Sequence, residues 1–342
     1  MKTLESLVVA LALTTGPCSS PEDSTLHPQL SFRISAAETG ITAARDLAVY
    51  GHEYVFVFDY ADNVIRRFYT QGGLVSTFGG KGDAPGSFQH LMAIRILDDS
   101  LLALDAGALS VFDHSGTLQS RTVFSDTVLC DHPRVHSDGR WAGERIVEAT
   151  AQKTLTYRGT DGSEQRQLAS YDLGELFPGI EPGEMFFINP TQARAYVYDF
   201  APDGRLVWAA SDRLRVFSEQ NGVDKSLFEA AATALPFPAD QIAAMRERQA
   251  SLSPPLFMNV PAHFQIVQHL NVDESGDIWL YLTSQERTGL LRLSSEGRER
   301  GFYTLAAGFD VLSARLTISD GRLYFMVPGR EETAIYSVAL PK

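Results

Sequence analysis

Asp46-Leu-Ala-Val-Tyr-Gly-His-Glu-Tyr-Val-Phe-Val-Phe-Asp59 is followed by Asn63-Val-Ile-Arg-Arg-Phe68 and Leu74-Val-Ser-Thr-Phe78. Val, Phe, Tyr and Ile dominate each run, and turn-forming residues such as Gly51, Asn63 and Gly73 separate them. Short runs of β-branched and aromatic residues bounded by turns read as pleated, half-buried strands. Tight Gly- and Asn-containing turns read as hairpins.

The same rhythm continues outward. Leu101-Leu-Ala-Leu-Asp105 and Asp277-Ile-Trp-Leu-Tyr-Leu282 are further strands, and Asp138-Gly139, Asp161-Gly162, Asp203-Gly204, Ser275-Gly276 and Asp320-Gly321 are turns. The first turn of each unit falls near residues 51, 99, 139, 204, 276 and 321. Three intervals have the length of about one propeller blade and two carry insertions. Six such units predict an all-β, six-bladed β-propeller over residues 30–342, in which each four-stranded sheet buries its faces against its neighbours. The last unit, from Leu312 to Leu340, has only three clear strands. Leu30–Ser35, a strand ahead of the first unit, would supply the fourth, close the ring and remove an open sheet edge. One insertion, residues 230–258 between blades four and five, reads as helical. Two stretches carry this reading, Phe228–Ala234, which runs into it, and Pro238–Gln249, with Asp240 as its cap.

The chain has 342 residues, 44% of them hydrophobic, and a net charge of −13. An acidic chain lacking clustered Lys and Arg is not expected to bind nucleic acid. Its ligand, a protein or a small molecule, is not named by any motif, and a monomer is expected. Met1-Lys2 precedes the apolar run Leu7–Leu13, which is too short to span a bilayer and matches a secretory leader. A buried first strand is the competing reading, disfavoured by the Thr14-Thr-Gly-Pro-Cys-Ser-Ser20 ending. Residues 1–18 are therefore expected to be a signal peptide or lipoprotein leader, with Cys18 as the site of lipidation and a possible membrane tether. Pro17 stands where such leaders carry a small residue. Residues 19–29 read as a flexible tether, and the protein as exported, periplasmic or bound to the cell envelope, or else secreted. The second cysteine, Cys130, leaves no Cys-x-x-Cys pair for zinc or thiol chemistry.

One blade carries a specific pattern. Asp59, Asn63, Arg66, Gly73, Phe78, Gly79, Gly82, Gly86 and Phe88 follow in the order of an NHL-type repeat. At fold level most of the chain resembles NHL and TolB-like six-bladed propellers; at motif level only this blade and parts of the next do. The Gly79–Gly82 run lacks the G-x-x-x-x-G-K-[ST] order of a phosphate loop and reads as a connection needing positive φ.

Propeller ligands usually sit where the innermost strands begin. Aligning the six units puts Arg45, Ala93, His132, Val197, His269 and Ala314 at one level, with His90, Arg134, Tyr196 and Arg315 nearby. The candidate rim residues are thus Arg45, His90, His132, Arg134, Tyr196 and His269. Such a ring suits an anionic or aromatic group, or simply lines a wet channel. Regucalcin-like and paraoxonase-like relatives of this fold imply a divalent cation held by Glu, Asn and Asp. Here the equivalent ring offers Arg, His, Val and Ala, so neither a metal nor a cofactor is expected. Asp59 and Asp105 end second strands and are expected to cap the turns that follow. No Gly-x-Ser-x-Gly elbow or His-Glu-x-x-His helix is present. A binding or scaffolding propeller is favoured over a metal-dependent lactonase, esterase or lyase at the channel mouth.

Overall fold

The computed structural model describes residues 24–97, 99–124, 131–136, 138–147, 152–159, 164–172, 196–220, 222–240, 242–243, 247, 263–306, 314–329 and 331–341. Two strands, β1 (Ser24–Leu26) and β2 (Gln29–Ser35), precede the first blade. Blade one is β3 (Ala44–Tyr50), β4 (Tyr54–Asp59), β5 (Val64–Tyr69) and β6 (Leu74–Gly79). Blade two is β7 (Leu91–Leu97), β8 (Ser100–Asp105), β9 (Ala108–Asp113) and β10 (Leu118–Val123). Blade three is β11 (Asp131–Val135), β12 (Trp141–Val147), β13 (Gln152–Arg158) and β14 (Glu164–Asp172). Blade four is β15 (Tyr196–Phe200), β16 (Leu206–Ala210), β17 (Arg215–Gln220) and β18 (Val223–Glu229). Blade five is β19 (Val267–Val272), β20 (Ile278–Thr283), β21 (Thr288–Leu293) and β22 (Glu299–Leu305). Blade six is β23 (Arg315–Ser319), β24 (Arg322–Val327) and β25 (Glu332–Ala339), completed by β2. The architecture is a six-bladed β-propeller.

Side-chain alternation explains why the blades stack as a ring. Along β4, Val55 and Val57 pack with Tyr324, Met326 and Ile335 of blade six. Phe56 and Phe58, pointing the other way, pack with Ile94, Leu101, Ala103 and Phe112 of blade two. A strand with two apolar faces is stable only between two neighbours. Similar clusters of buried residues join the other pairs of neighbouring blades, among them Trp141 between blades two and three and Trp279 between blades five and six.

The residues of the NHL-like pattern serve this stacking. Asn63, at φ 54°, accepts the Leu91 amide on its Oδ1 at 3.1 Å and so ties blade one to blade two. Gly79, at φ 92°, lies so close to the buried Phe88 ring that a Cβ there would come within 2.5 Å of it. The Gly-rich run is the connection from β6 to β7.

Four expectations are corrected. Asp105 does not cap the turn after β8; its carboxylate accepts the Gln89 and His90 amides that lead into β7. Asp59 does accept the following Ala61 amide at 3.2 Å, but also the Thr42 and Ala43 amides ahead of β3 and a 2.9 Å contact from Arg66. The cause is antiparallel register, which sets Ala44 opposite Asp59 and Leu91 opposite Asp105. Phe228–Ala234 is not helical. Phe228 and Glu229 finish β18, and Ala230, Ala232 and Ala234 pack at every second position against the core between blades four and five. That period of two overrides the helix preference of alanine. The Thr233 hydroxyl and amide hold the Glu286 carboxyl down at about 2, fastening this segment to blade five. Ala239, Asp240, Ile242, Ala243 and Glu247 are helical, with the Ile242 amide donating to the Pro238 carbonyl. Asp240 thus sits inside the first turn rather than at its cap; the rest of the insertion to residue 258 lies outside the described residues. Within the stretch expected as a tether, Ser24–Leu26 forms β1, which adds in parallel to β22 with Leu26 buried. The leader, Cys18 and Cys130 lie outside the described residues.

Ring closure runs through β2, which pairs antiparallel with β25, Phe32 opposite Ile335 and Ile34 opposite Thr333. Both Phe32 and Ile34 are buried against blade one. We expect Ile34→Ala to cost about 2–4 kcal/mol in a denaturant melt. Removal of residues 30–36 should lower the melting midpoint much further, and an unchanged midpoint would show that the ring does not depend on this closure.

Candidate functional site

The six innermost strands are β3, β7, β11, β15, β19 and β23, and their inner edges meet no further strand. Backbone groups on such an edge need other partners. Acidic side chains supply some of them. Asp46 Oδ2 accepts the Ile94 amide at 3.1 Å, linking blades one and two, and Asp199 Oδ2 accepts the Val272 amide at 3.0 Å, linking blades four and five. Arg95 reaches from blade two to pair with Asp199, and also donates to the Phe200 carbonyl at 3.3 Å and the Val135 carbonyl at 3.4 Å. One guanidinium therefore ties together blades two, three and four inside the channel.

Toward the hairpin turns that follow the innermost strands the channel widens into a cavity of about 810 Å³. Ile94, Ile96, Leu316 and Ile318 contribute apolar wall. Its rim is acidic, with Glu53, Asp99, Glu274 and Asp320. The Tyr50 hydroxyl donates to Asp99 at 3.1 Å, and Glu274 accepts the Asp320 amide at 3.0 Å.

Where the innermost strands begin, the channel narrows to a pocket of about 20 Å³ lined by Arg45, Arg134, Arg315, His269, Asp46 and Met92, among others. It adjoins the wide cavity, with which it shares Asp46, Ala93, Pro133, Arg134 and Leu316. Arg315 Nε donates to the Arg45 carbonyl at 3.0 Å across the seam between blades six and one. The Arg45 guanidinium lies 4.6 Å over the Tyr60 ring. Burial pushes the Arg315 guanidinium below its ordinary pKa; Asp46 opposes that shift, while Arg45 and Arg134 add to it by like-charge repulsion.

The structure thus brings Arg45, Arg134 and His269 together, and adds Arg315. The other rim residues read from the sequence go elsewhere. His90 stands edge-on to Tyr60, 5.4 Å between ring centres, and lines neither cavity. Tyr196 is buried between blades three and four, its amide donating to Glu144 at 2.7 Å and its ring edge-on to Trp208. Burial, then the Glu144 carboxylate, raises its hydroxyl pKa well above the usual range. His132 belongs to β11. Sequence reasoning missed the wide cavity and the Arg95–Asp199 pair. The two residues lie 104 positions apart, and no local pattern joins them. Among the described residues no three His, Cys, Asp or Glu side chains come together as a metal-binding group.

No family model matches the chain, and no curated protein matches it. Solved structures do. A candidate exported protein from Bacteroides fragilis aligns over 95% of this chain and 97% of its own at 10% identity, with a TM-score of 0.50. A member of the DUF4221 family from Bacteroides vulgatus aligns over 93% and 99% at 8% identity, also with a TM-score of 0.50. A gluconolactonase from Xanthomonas campestris aligns over 94% and 97% at 12% identity, with a TM-score of 0.43. At these identities the likeness is one of fold.

The cross-channel pair is testable. Asp199 is nearly buried and Arg95 partly so. Arg95→Ala should cost about 2–3 kcal/mol, between the values for exposed and fully buried pairs. Adding Asp199→Asn should recover part of that loss in a double-mutant cycle; strictly additive losses would show that the pair is not coupled.

Proposed function

We propose that the protein is an exported binding propeller of the cell envelope that takes a small organic ligand into the wide end of its central channel. The observation that carries this reading is the cavity of about 810 Å³. It lies within the size range of small-molecule sites and combines apolar walls with a few placed polar groups. Binding without covalent chemistry is favoured over a lactonase-like or lyase activity because the narrow end of the channel presents the guanidiniums of Arg45, Arg134 and Arg315, which do not suit a hard cation. The Leu7–Leu13 run and Cys18 support export with lipidation, and the fold likeness to a candidate exported protein agrees with export. The order Asp59, Asn63, Arg66, Gly79, Phe88 supports a place among NHL-type propellers.

Thr317 lines the wide cavity on β23, half-buried, with its side chain in no hydrogen bond among the described residues. Thr317→Trp should obstruct part of the cavity while keeping the fold. A thermal-shift panel of organic acids, amines, sugars and lactones should yield compounds that stabilise the native protein and not this variant. If no compound discriminates between the two, the channel is not the binding site.

A further inference from the structure

Most half-buried and buried arginines elsewhere in this molecule form ion pairs, although Arg67 and Arg322 donate to the His114 carbonyl and the Ser337 hydroxyl. Arg66 meets Asp59, Arg95 meets Asp199, Arg166 meets Glu219 and Arg292 meets Asp277. Arg45, Arg134 and Arg315 depart from that habit. All three are half-buried, all three line the narrow pocket, and among the described residues none forms an ion pair. The one carboxylate there, Asp46, already accepts the Leu47 and Ile94 amides, each at 3.1 Å. Acidic residues are not scarce in this chain, which has 42 Asp and Glu against 29 Lys and Arg. Three guanidiniums crowded around one engaged carboxylate repel one another, and an arriving anion relieves that repulsion.

From this arrangement we infer that the narrow pocket is an anion site, and that it holds the carboxylate of an organic monoacid whose body lies in the wide cavity. The inference rests on the channel-binding reading above. Four features define the chemical class. The pocket, of about 20 Å³, is narrow, and the flat two-oxygen head of a carboxylate demands less of it than a tetrahedral phosphate. Guanidinium forks match a carboxylate in two parallel hydrogen bonds. Leu316 lines both spaces, and Ile94, Ile96 and Ile318 offer apolar contact to a hydrocarbon body. The acidic rim of Glu53, Asp99, Glu274 and Asp320 repels a second anionic group, so the far end of the ligand is neutral or cationic.

Hexanoate, hexanamide, adipate and inorganic phosphate make the test, titrated calorimetrically into the full chain. Hexanoate should bind at least about tenfold more tightly than hexanamide, and Arg134→Gln or Arg315→Gln should each remove at least about tenfold of its affinity. If either variant fails to fold, the native protein still decides the matter: hexanoate binding should weaken between about 20 and about 300 mM salt while hexanamide binding does not. Equal binding of hexanoate and hexanamide, or hexanoate binding indifferent to both arginines, overturns the anion site. It leaves the channel reading intact wherever Thr317→Trp still blocks binding. Adipate or phosphate binding more tightly than hexanoate overturns the monoacid class. Loss of every Thr317-dependent interaction, neutral compounds included, sinks the channel reading itself.

Discussion

A blade of this protein has no face to give to water. In β4 the valines at 55 and 57 belong to the core shared with blade six, and the phenylalanines at 56 and 58 to the core shared with blade two. Because side chains alternate across a strand, both faces of such a sheet are apolar and each must be covered. A linear stack would leave two end faces bare; a ring leaves none. Closure is therefore the condition on which every blade depends, and β2 meets it by completing blade six from the other end of the chain. At the seam between blades one and two, Gly79 and Gly116 let aromatic rings approach the backbone closely, and Asn63 ties the blades by accepting the Leu91 amide.

Closing the ring creates a second constraint at its centre. Six inner strand edges face one another across a channel too wide for direct pairing, and their amides still need acceptors. Asp46 and Asp199 answer part of that need, and Arg95 then compensates Asp199 from across the channel. The polar character of the channel is thus partly architectural. Arg45, Arg134 and Arg315 stand apart because no such compensation reaches them among the described residues. Structural demands explain the acids of the inner edge. They account for the arginines only in part, through the Arg315 bond to the Arg45 carbonyl and the stacking of Arg45 on Tyr60, and leave three guanidiniums sharing one small pocket without an ion pair.

The two ends of the channel also differ in charge. Acidic side chains ring the wide end, and arginines gather at the narrow one. In a low-dielectric channel such a gradient acts strongly on a bound charge and orients an unsymmetrical ligand. Ile94, Ile96, Leu316 and Ile318 place apolar wall along the wide part of the channel.

Strands, turns and the blade count were legible in the sequence because hairpin chemistry is local. The Asp-Gly and Ser-Gly turns and the apolar runs between them depend on neighbours in the chain, and the six first turns fall where the sequence places them. Ring closure was legible by arithmetic, as a three-stranded last unit and a spare first strand. The alanines at 230, 232 and 234 misled because their partners lie in the core between blades four and five, which no local preference reports. At the centre, aligning the units put Arg45 and His269 at one level and Arg134 and Arg315 nearby. It left open which of these side chains meet, and it placed Tyr196 and His90 beside them when one is buried between blades and the other stands on Tyr60. The wide cavity and the Arg95–Asp199 pair arise only once six distant strands converge on one axis. Sequence alone determined the repeating unit, since each hairpin is a short-range object. Tertiary structure decided the channel, its charge gradient and its candidate anion site, since these are sums over residues that share nothing but the ring they close.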